Sequence, residues 1–274
     1  MPAWRLILDG PRGAAENMAV DEAILRSCAE GCVPPTVRVY SWDRPSISIG
    51  CMQPAAPDIL DLDYCRQEGI EVVRRITGGR AVVHGSDVTF SLAIREIDLP
   101  EGCANVIASH RWLMGGVVTG LRRLGIDADI GPERSDATDA STDCFARVAE
   151  CDVRVGRTKV VGSAQVRRFG ALMEQGSTPY APPGFNTARV FGQAVRAAAG
   201  SPLYGFSHSS IAGALIHGFR ELANPELEPA PLTRHEAETA AELAREVYST
   251  LEWTTCRSNP PSKQFDMQPH TCPK

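Results

Sequence analysis

Apolar positions repeat at three- and four-residue spacing most clearly over Asn105–Gly125. Val106, Ile107, His110, Leu113, Met114, Val117, Val118, Leu121 and Leu124 mark one stripe of a helix. Arg122 and Arg123 close it at the negative end of its dipole. The same period predicts helices over Ala14–Ala29, Ile59–Glu68, Thr187–Ala199, Ser209–Leu222 and Thr233–Thr250. The last of these opens on a capping box, Thr233 with Glu236. Cys28 and Cys32 then sit one turn apart on the face of the first helix. Short β-rich runs punctuated by turn residues predict strands at Thr36–Tyr40, Ser46–Ile49, Glu71–Arg75, Ala81–His84 and Val88–Arg95. Asp152–Val155, Lys159–Arg168 and Ala171–Ser177 read as a further meander. Turns fall at Trp42–Pro45 and Gly85–Asp87, a polar loop at Gly131–Ser141, and a Pro-rich link at Asn224–Leu232.

Helices and strands mix without strict βαβ alternation, and many strands join through tight turns. That order predicts an α+β fold with a mixed or antiparallel central sheet flanked by helices. Residues 1–255 are expected to form one folded unit, and 256–274, Pro-rich and polar, a disordered tail.

The 274 residues carry a net charge of -5, which gives no general attraction to nucleic acid or to an anionic membrane. No window approaches the apolar length of a membrane span, and no secretory leader opens the chain, so a cytoplasmic setting is expected. Nine cysteines are scattered without a CxxC pair or a histidine at zinc spacing, so no metal is expected.

Positive charge comes almost wholly from arginine. Of 28 basic residues only Lys159, Lys263 and Lys274 are lysines, and Lys159 alone precedes position 263. An ammonium is a compact point charge and a guanidinium a rigid fork, so a lone lysine marks a place where the two are not interchangeable, unless it is a chance survivor of arginine bias. A second candidate is the run Arg74-Arg75-Ile76-Thr77-Gly78-Gly79-Arg80, closed by His84. Its adjacent glycines allow a ligand close to the backbone, or simply a tight hairpin with solvated arginines. His84 reads as a base or orienting group, or as a strand-end histidine. Cys144 stands where a polar loop meets an apolar stretch, fifteen residues before Lys159. A cation nearby would raise its thiolate fraction; otherwise it is one more small buried residue.

Taken together these segments resemble the lipoate/octanoate branch of the biotin/lipoate protein ligase superfamily, from about Trp4 to Trp253. The carrying motifs are Asn17–Ala23, Pro45–Gly50, Arg74–His84, Cys144-Phe145, Gly162-Ser163-Ala164-Gln165, Gln175-Gly176-Ser177 and Tyr248–Trp253. The chain is most similar to the cysteine-dependent octanoyltransferases, in which a Cys-Phe pair precedes the Gly-Ser-Ala-Gln glycine by the spacing of Cys144 and Gly162. The resemblance implies a class II synthetase-like fold, with Cys144 as nucleophile and Lys159 as its cationic partner. It places Arg75, Thr77, Gly78, Gly79, Arg80, His84, Gly162, Ser163 and Ala164 around the acyl group. It further implies octanoyl-acyl carrier protein as donor, a lysine of a lipoyl domain of the glycine-cleavage H type as acceptor, and no cofactor. Arg122, Arg123, Arg167 and Arg168 are candidates for a basic face toward an acidic carrier. The chain departs from the pattern after Cys-Phe, where Cys151 replaces an expected tyrosine and becomes a rival or resolving thiol. The alternatives are an ATP- and magnesium-dependent lipoate–protein ligase, an amidotransferase between lipoyl domains, and a non-catalytic acyl-binding module. The ligase reading usually needs an accessory C-terminal domain, and about 20 residues after Trp253 are too few to fold one.

Overall fold

The computed structural model describes residues 3–54, 56–131, 151–192, 201–223 and 226–255. Strands β1 (Trp4–Arg12), β2 (Thr36–Trp42), β6 (Asp87–Arg95), β7 (Asp129–Ile130), β8 (Val153–Val155), β9 (Thr158–Arg168), β10 (Ala171–Pro179) and β11 (Leu227–Pro229) form one sheet in the order β11-β1-β2-β6-β10-β9-β8-β7. The β11-β1-β2 pairings are parallel and all the others antiparallel, so the sheet is mixed. A smaller sheet holds β3 (Ser46–Ile49) between β4 (Glu71–Arg74) and β5 (Val82–His84).

Alternation along the strands divides the core in two. One face packs Phe90, Leu92 and Leu172 under α4 (Val106–Arg123) and α6 (His208–Ala223). The other packs Tyr40, Ala93 and Met173 under α1 (Ala14–Ala29) and α7 (Arg234–Leu243). Helices α4 and α6 cross closely because Gly116, Gly120 and Gly218 meet backbone to backbone at the crossing. Gly176 has the same steric role in the sheet. It sits opposite Phe90, whose ring occupies the space a β-carbon would take. Phe90 is itself fixed against Phe219, ring centroids 5.2 Å apart. Gly176→Ala is therefore expected to destabilise the protein by about 1–3 kcal/mol through overpacking. Urea unfolding would measure it, and Phe90→Leu in the same chain should recover part of the loss.

Several expected elements change on folding. Strand β1 was not evident in the sequence, and β11 lies inside the Pro-rich link, where it pairs Leu227 with Trp4. The helix expected over Ile59–Glu68 is two, α2 (Ala56–Ile59) and α3 (Leu62–Gln67), because Asp61 caps the second by accepting from the Tyr64 N–H at 2.9 Å. Helix α1 stops at Ala29, with Gly31 left-handed just beyond it. Cys28 is thus buried and its thiol pushed up to about 12 by desolvation, while Cys32 lies past the helix, so the two share no helix face. Helix α5 (Thr187–Phe191) ends at left-handed Gly192. The remainder of the expected Thr187–Ala199 helix, the loop after Gly131 and the tail lie outside the described residues. In α4, Val106 and Ile107 are exposed rather than part of the buried stripe.

The C-terminal elements close the structure through polar bonds. The capping box forms as expected, Glu236 N–H to Thr233 Oγ1 at 3.1 Å and Thr233 N–H to Glu236 Oε2 at 2.7 Å. Glu236 also receives Arg5 Nη1 at 2.8 Å, tying α7 to β1. After α7 the backbone makes a π-helical turn over Ala244–Tyr248 before α8 (Leu251–Thr255). Trp253 Nε1–H donates to Arg74 O at 2.7 Å, and Arg74 donates back to the carbonyls of Trp253 and Thr254.

Candidate active site

The glycine run is held by Arg75, which is buried and not solvated. Its Nη1 donates to Ser48 O at 2.9 Å and Ser48 Oγ at 3.1 Å, and its Nη2 to the carbonyls of Gly78 at 2.6 Å and Arg80 at 2.8 Å. Its Nε donates to Thr77 Oγ1 at 3.1 Å, and that hydroxyl donates to Gln175 Oε1 at 2.7 Å. Gln175 in turn donates to Asp21 Oδ2 at 2.6 Å, where Tyr40 also donates at 2.8 Å. The loop is therefore locked through buried polar bonds to β3, β10 and α1. Arg74, next to it in the run, is not solvated either and donates to the carbonyls of Gly50, Gln53 and Pro54.

Beneath this loop is a narrow slot open to solvent at its mouth. Its cavity volume is only about 30 Å³. Of the expected residues Arg75, His84, Gly162, Ser163 and Ala164 line it, together with Met18, Trp42, Ser48, Gln175 and Ser177, among others. Gly79 is left-handed, and a β-carbon on it would lie 3.5 Å from Ala164 Cβ, so the glycine loop rests directly on the Gly-Ser-Ala-Gln strand. A wider cleft of about 600 Å³ runs past Gly13, Glu16, Arg44, Glu71 and Tyr248, away from these motifs. Thr77 is fully buried behind the slot, and Ser163, in its wall, directs its hydroxyl to Met114 Sδ at 3.3 Å.

His84 is buried at the end of β5. Its Nε2 is 2.8 Å from Ser48 Oγ and its Nδ1 2.8 Å from Asp87 Oδ2. The Trp42 indole stacks on its ring at 3.9 Å. Burial pushes the Asp87 carboxyl up, but His84 beside it and the hydroxyls of Ser177 and Thr89 outweigh that and hold it below the usual carboxylate value.

Lys159 lies three residues before Gly162, a spacing that puts two residues on opposite faces of a regular strand. The pairing shows why this strand differs. Val153 faces Val161 and Arg154 faces Lys159, so Val160 is an extra residue, a bulge. Val160 and Val161 accordingly both pack into the core under α4. Lys159 is thereby returned to the face shared by Gly162 and Ala164, the face on which Gln175 meets Thr77. Its side chain is 3% exposed and its ammonium lies 2.8 Å from Asp152 Oδ1. Cys144 lies outside the described residues. Cys151 is buried and left-handed, with Arg111 Nη1 3.8 Å from its sulfur.

Asp21, Asp87, Trp42, Ser48 and Thr89 were missed as site residues. The sequence held one usable signal, an aspartate three residues after His84 across a Gly-Ser turn. Arg167 is no free basic face: it holds Glu96 at 2.8 Å and Ser109 Oγ at 3.0 Å. On the far face of the sheet His110 pairs with fully buried Glu174 at 2.9 Å. Desolvation lowers its pKa, but the Glu174 charge and hydrogen bond outweigh this and hold it above the ordinary histidine value. A raised folded-state pKa gives stability that is complete below the unfolded value of about 6.5 and is lost as pH rises through the folded one. His110→Gln should thus cost more stability at pH 6 than at pH 9, as read from denaturant midpoints of both proteins at each pH.

A family profile described as the lipoyl protein ligase A/B catalytic domain matches residues 13–201. The octanoyltransferase LipM of Kyrpidia tusciae is 37% identical over 276 aligned positions, covering 92% of this chain and 98% of its own. That of Symbiobacterium thermophilum is 35% identical, with 91% and 97% covered. Among solved structures, a lipoate-protein ligase A bound with ATP superposes with TM-score 0.75 at 29% identity, over 92% of this chain and 98% of its own. A bi-partite lipoate protein ligase from Thermoplasma acidophilum, described with its E2 lipoyl domain, gives 0.73 at 28%, over 93% and 96%. With a mixed sheet flanked by helices, a glycine loop seated on the Gly-Ser-Ala-Gln strand and a profile match over more than half its length, the chain belongs to the lipoyl protein ligase A/B catalytic-domain family.

Proposed function

We propose that this chain is an octanoyltransferase of protein lipoylation that works through a cysteine thioester. The reading is supported above all by relatives named octanoyltransferase that align over nearly their whole length. The bulge that returns Lys159 to the strand face shared with Gly162 supports it independently. The Cys144 thiolate attacks the carbonyl of octanoyl-acyl carrier protein and expels the carrier thiol. Lys159, oriented by Asp152, stabilises the thiolate and the developing oxyanion. An amine of a lipoyl domain of the H type then takes the acyl group as an amide and returns the thiol. The acyl carbon stays activated from thioester to thioester, so the sequence of steps needs no ATP. The chain enters the narrow slot beneath the glycine loop, where each buried methylene contributes about 0.8 kcal/mol. The catalytic unit is residues 1–255.

The test is intact-mass spectrometry after mixing the protein with octanoyl-acyl carrier protein or, in a second arm, with an octanoylated lipoyl domain. One octanoyl adduct should appear, map to Cys144, and vanish when unmodified lipoyl domain is added. The arm that acylates faster identifies the donor. ATP–pyrophosphate exchange driven by octanoate or lipoate would overturn the reading in favour of a ligase, as would failure of both donors to acylate Cys144. Among the described residues no helix is long and apolar enough to cross a membrane.

A further inference from the structure

Two residues that line the slot, Ser48 and His84, are joined to Asp87 behind it. Ser48, His84 and Asp87 stand in a row, each contact 2.8 Å. The Asp87 carboxylate accepts from Ser177 Oγ at 2.7 Å, from Thr89 Oγ1 at 2.8 Å and from the Gly85 N–H at 3.0 Å. A carboxylate only accepts, so the His84 tautomer that satisfies both contacts carries its proton on Nδ1, facing Asp87. Nε2 is then the acceptor and the Ser48 hydroxyl the donor. The same oxygen accepts from Arg75 Nη1 at 3.1 Å, so the hydroxyl is held between the guanidinium and the base. The ring is immobilised by the Trp42 stack, and Trp42 is itself bonded to Thr89. Ser48 and His84 both line the slot, whereas Ser46 on the same strand bonds the Arg44 carbonyl at 3.0 Å and does not.

We propose that Ser48 is a second acyl-accepting nucleophile, with His84 as its base and Asp87 as the orienting carboxylate, and that the slot hydrolyses activated medium-chain acyl esters and thioesters. The chain length rests on the octanoyl reading above; the nucleophile does not. Ser48 Oγ bonds to the acyl carbonyl carbon and its proton passes to His84 Nε2. The tetrahedral adduct collapses, the bond from the carbonyl carbon to the alcohol or thiol breaks, and the leaving group takes that proton from His84. Water repeats the sequence on the Ser48 ester, releasing the fatty acid and restoring the hydroxyl. Arg75 positions the Ser48 hydroxyl, and Asp87 stabilises the imidazolium between steps.

The test removes the competing thiol. Cys144→Ala protein is mixed with p-nitrophenyl octanoate, p-nitrophenolate release is followed, and the trapped adduct is mapped by peptide mass spectrometry. An octanoyl ester on Ser48 with slow turnover is expected. Ser48→Ala or His84→Asn added to that background should lower release at least about 100-fold, the scale of a lost general base. Ser48→Cys in the same background should restore an adduct, now a thioester, at position 48. Thermal melts identify any variant that fails to fold, and the map on Cys144→Ala alone then still decides. No ester on Ser48, or release indifferent to Ser48→Ala, overturns the proposal. Wild-type acylation from octanoyl-acyl carrier protein is measured alongside. A labelled Cys144 with an unlabelled Ser48 defeats only this proposal, and the reverse pattern defeats only the transferase reading.

Discussion

Lys159→Arg should slow thioester formation on Cys144 by about 100- to 1,000-fold, the scale of losing one preorganised electrostatic stabiliser. The substitution keeps the charge, so a merely structural role would be nearly satisfied by it. The site is buried, its side chain 3% exposed and its partner Asp152 5%, and the ammonium reaches Asp152 Oδ1 at 2.8 Å. A guanidinium is larger, spreads its charge over a plane and demands fork geometry, so it cannot occupy a point-charge position without displacing its neighbours. Lys159→Met is the companion variant. It leaves the Asp152 carboxylate buried beside a neutral chain, which costs about 3–5 kcal/mol where a buried pair is broken. The arginine variant should melt much closer to the wild type. Single-turnover acylation followed by quenched mass spectrometry separates the two effects. Wild-type rates in Lys159→Arg would remove the lysine from the chemistry and leave it a core ion pair.

What could be read from the sequence follows the range of the forces involved. Helices α1 and α4, and the capping box of Thr233 and Glu236, depend on side chains within a turn of each other, and they form where the pattern put them. The break between α2 and α3 was harder, because Asp61 caps α3 through a local bond that a hydrophobic stripe does not register. Strand β11 escaped notice because three residues in a Pro-rich run become a strand only when Trp4 lies beside Leu227.

The site divides in the same way. Arg75, His84 and the Gly162–Ala164 strand were recognisable as motifs and converge on the slot. Their roles were not, since Arg75 reads as surface charge until it is seen bonded to Ser48, Gly78 and Arg80. Lys159 shows the limit most plainly. Period-two alternation puts it on the opposite face of β9 from Gly162, and only the pairing with β8 reveals the extra residue that brings it back.

Gly50→Ala should lower acyl transfer about 100-fold, although residue 50 carries no side chain and donates nothing to substrate. Its N–H is held by Gln53 Oε1 at 2.9 Å and its carbonyl by Arg74 Nη1 at 2.9 Å, so it cannot retreat. A β-carbon on it would lie 2.9 Å from Gly79 C and 3.0 Å from Gly78 O, and closer still to Gly79 O. Those atoms are backbone and have no rotamer to change, so the glycine loop itself must move. It is tied to Arg75 through the Gly78 and Arg80 carbonyls and rests on Ala164, so the displacement reaches the wall of the slot. A misplacement of about 1 Å at a reacting centre costs on the order of 100-fold in rate. The stability cost should be the smaller part, about 1–3 kcal/mol for overpacking. Gly115→Ala is the control, because a β-carbon there meets nothing within 4 Å and alanine favours the helix, so neither rate nor melting temperature should fall. Full activity in Gly50→Ala would show that the loop can shift without disturbing the acyl group, and that the slot beneath it is not where the chain is held.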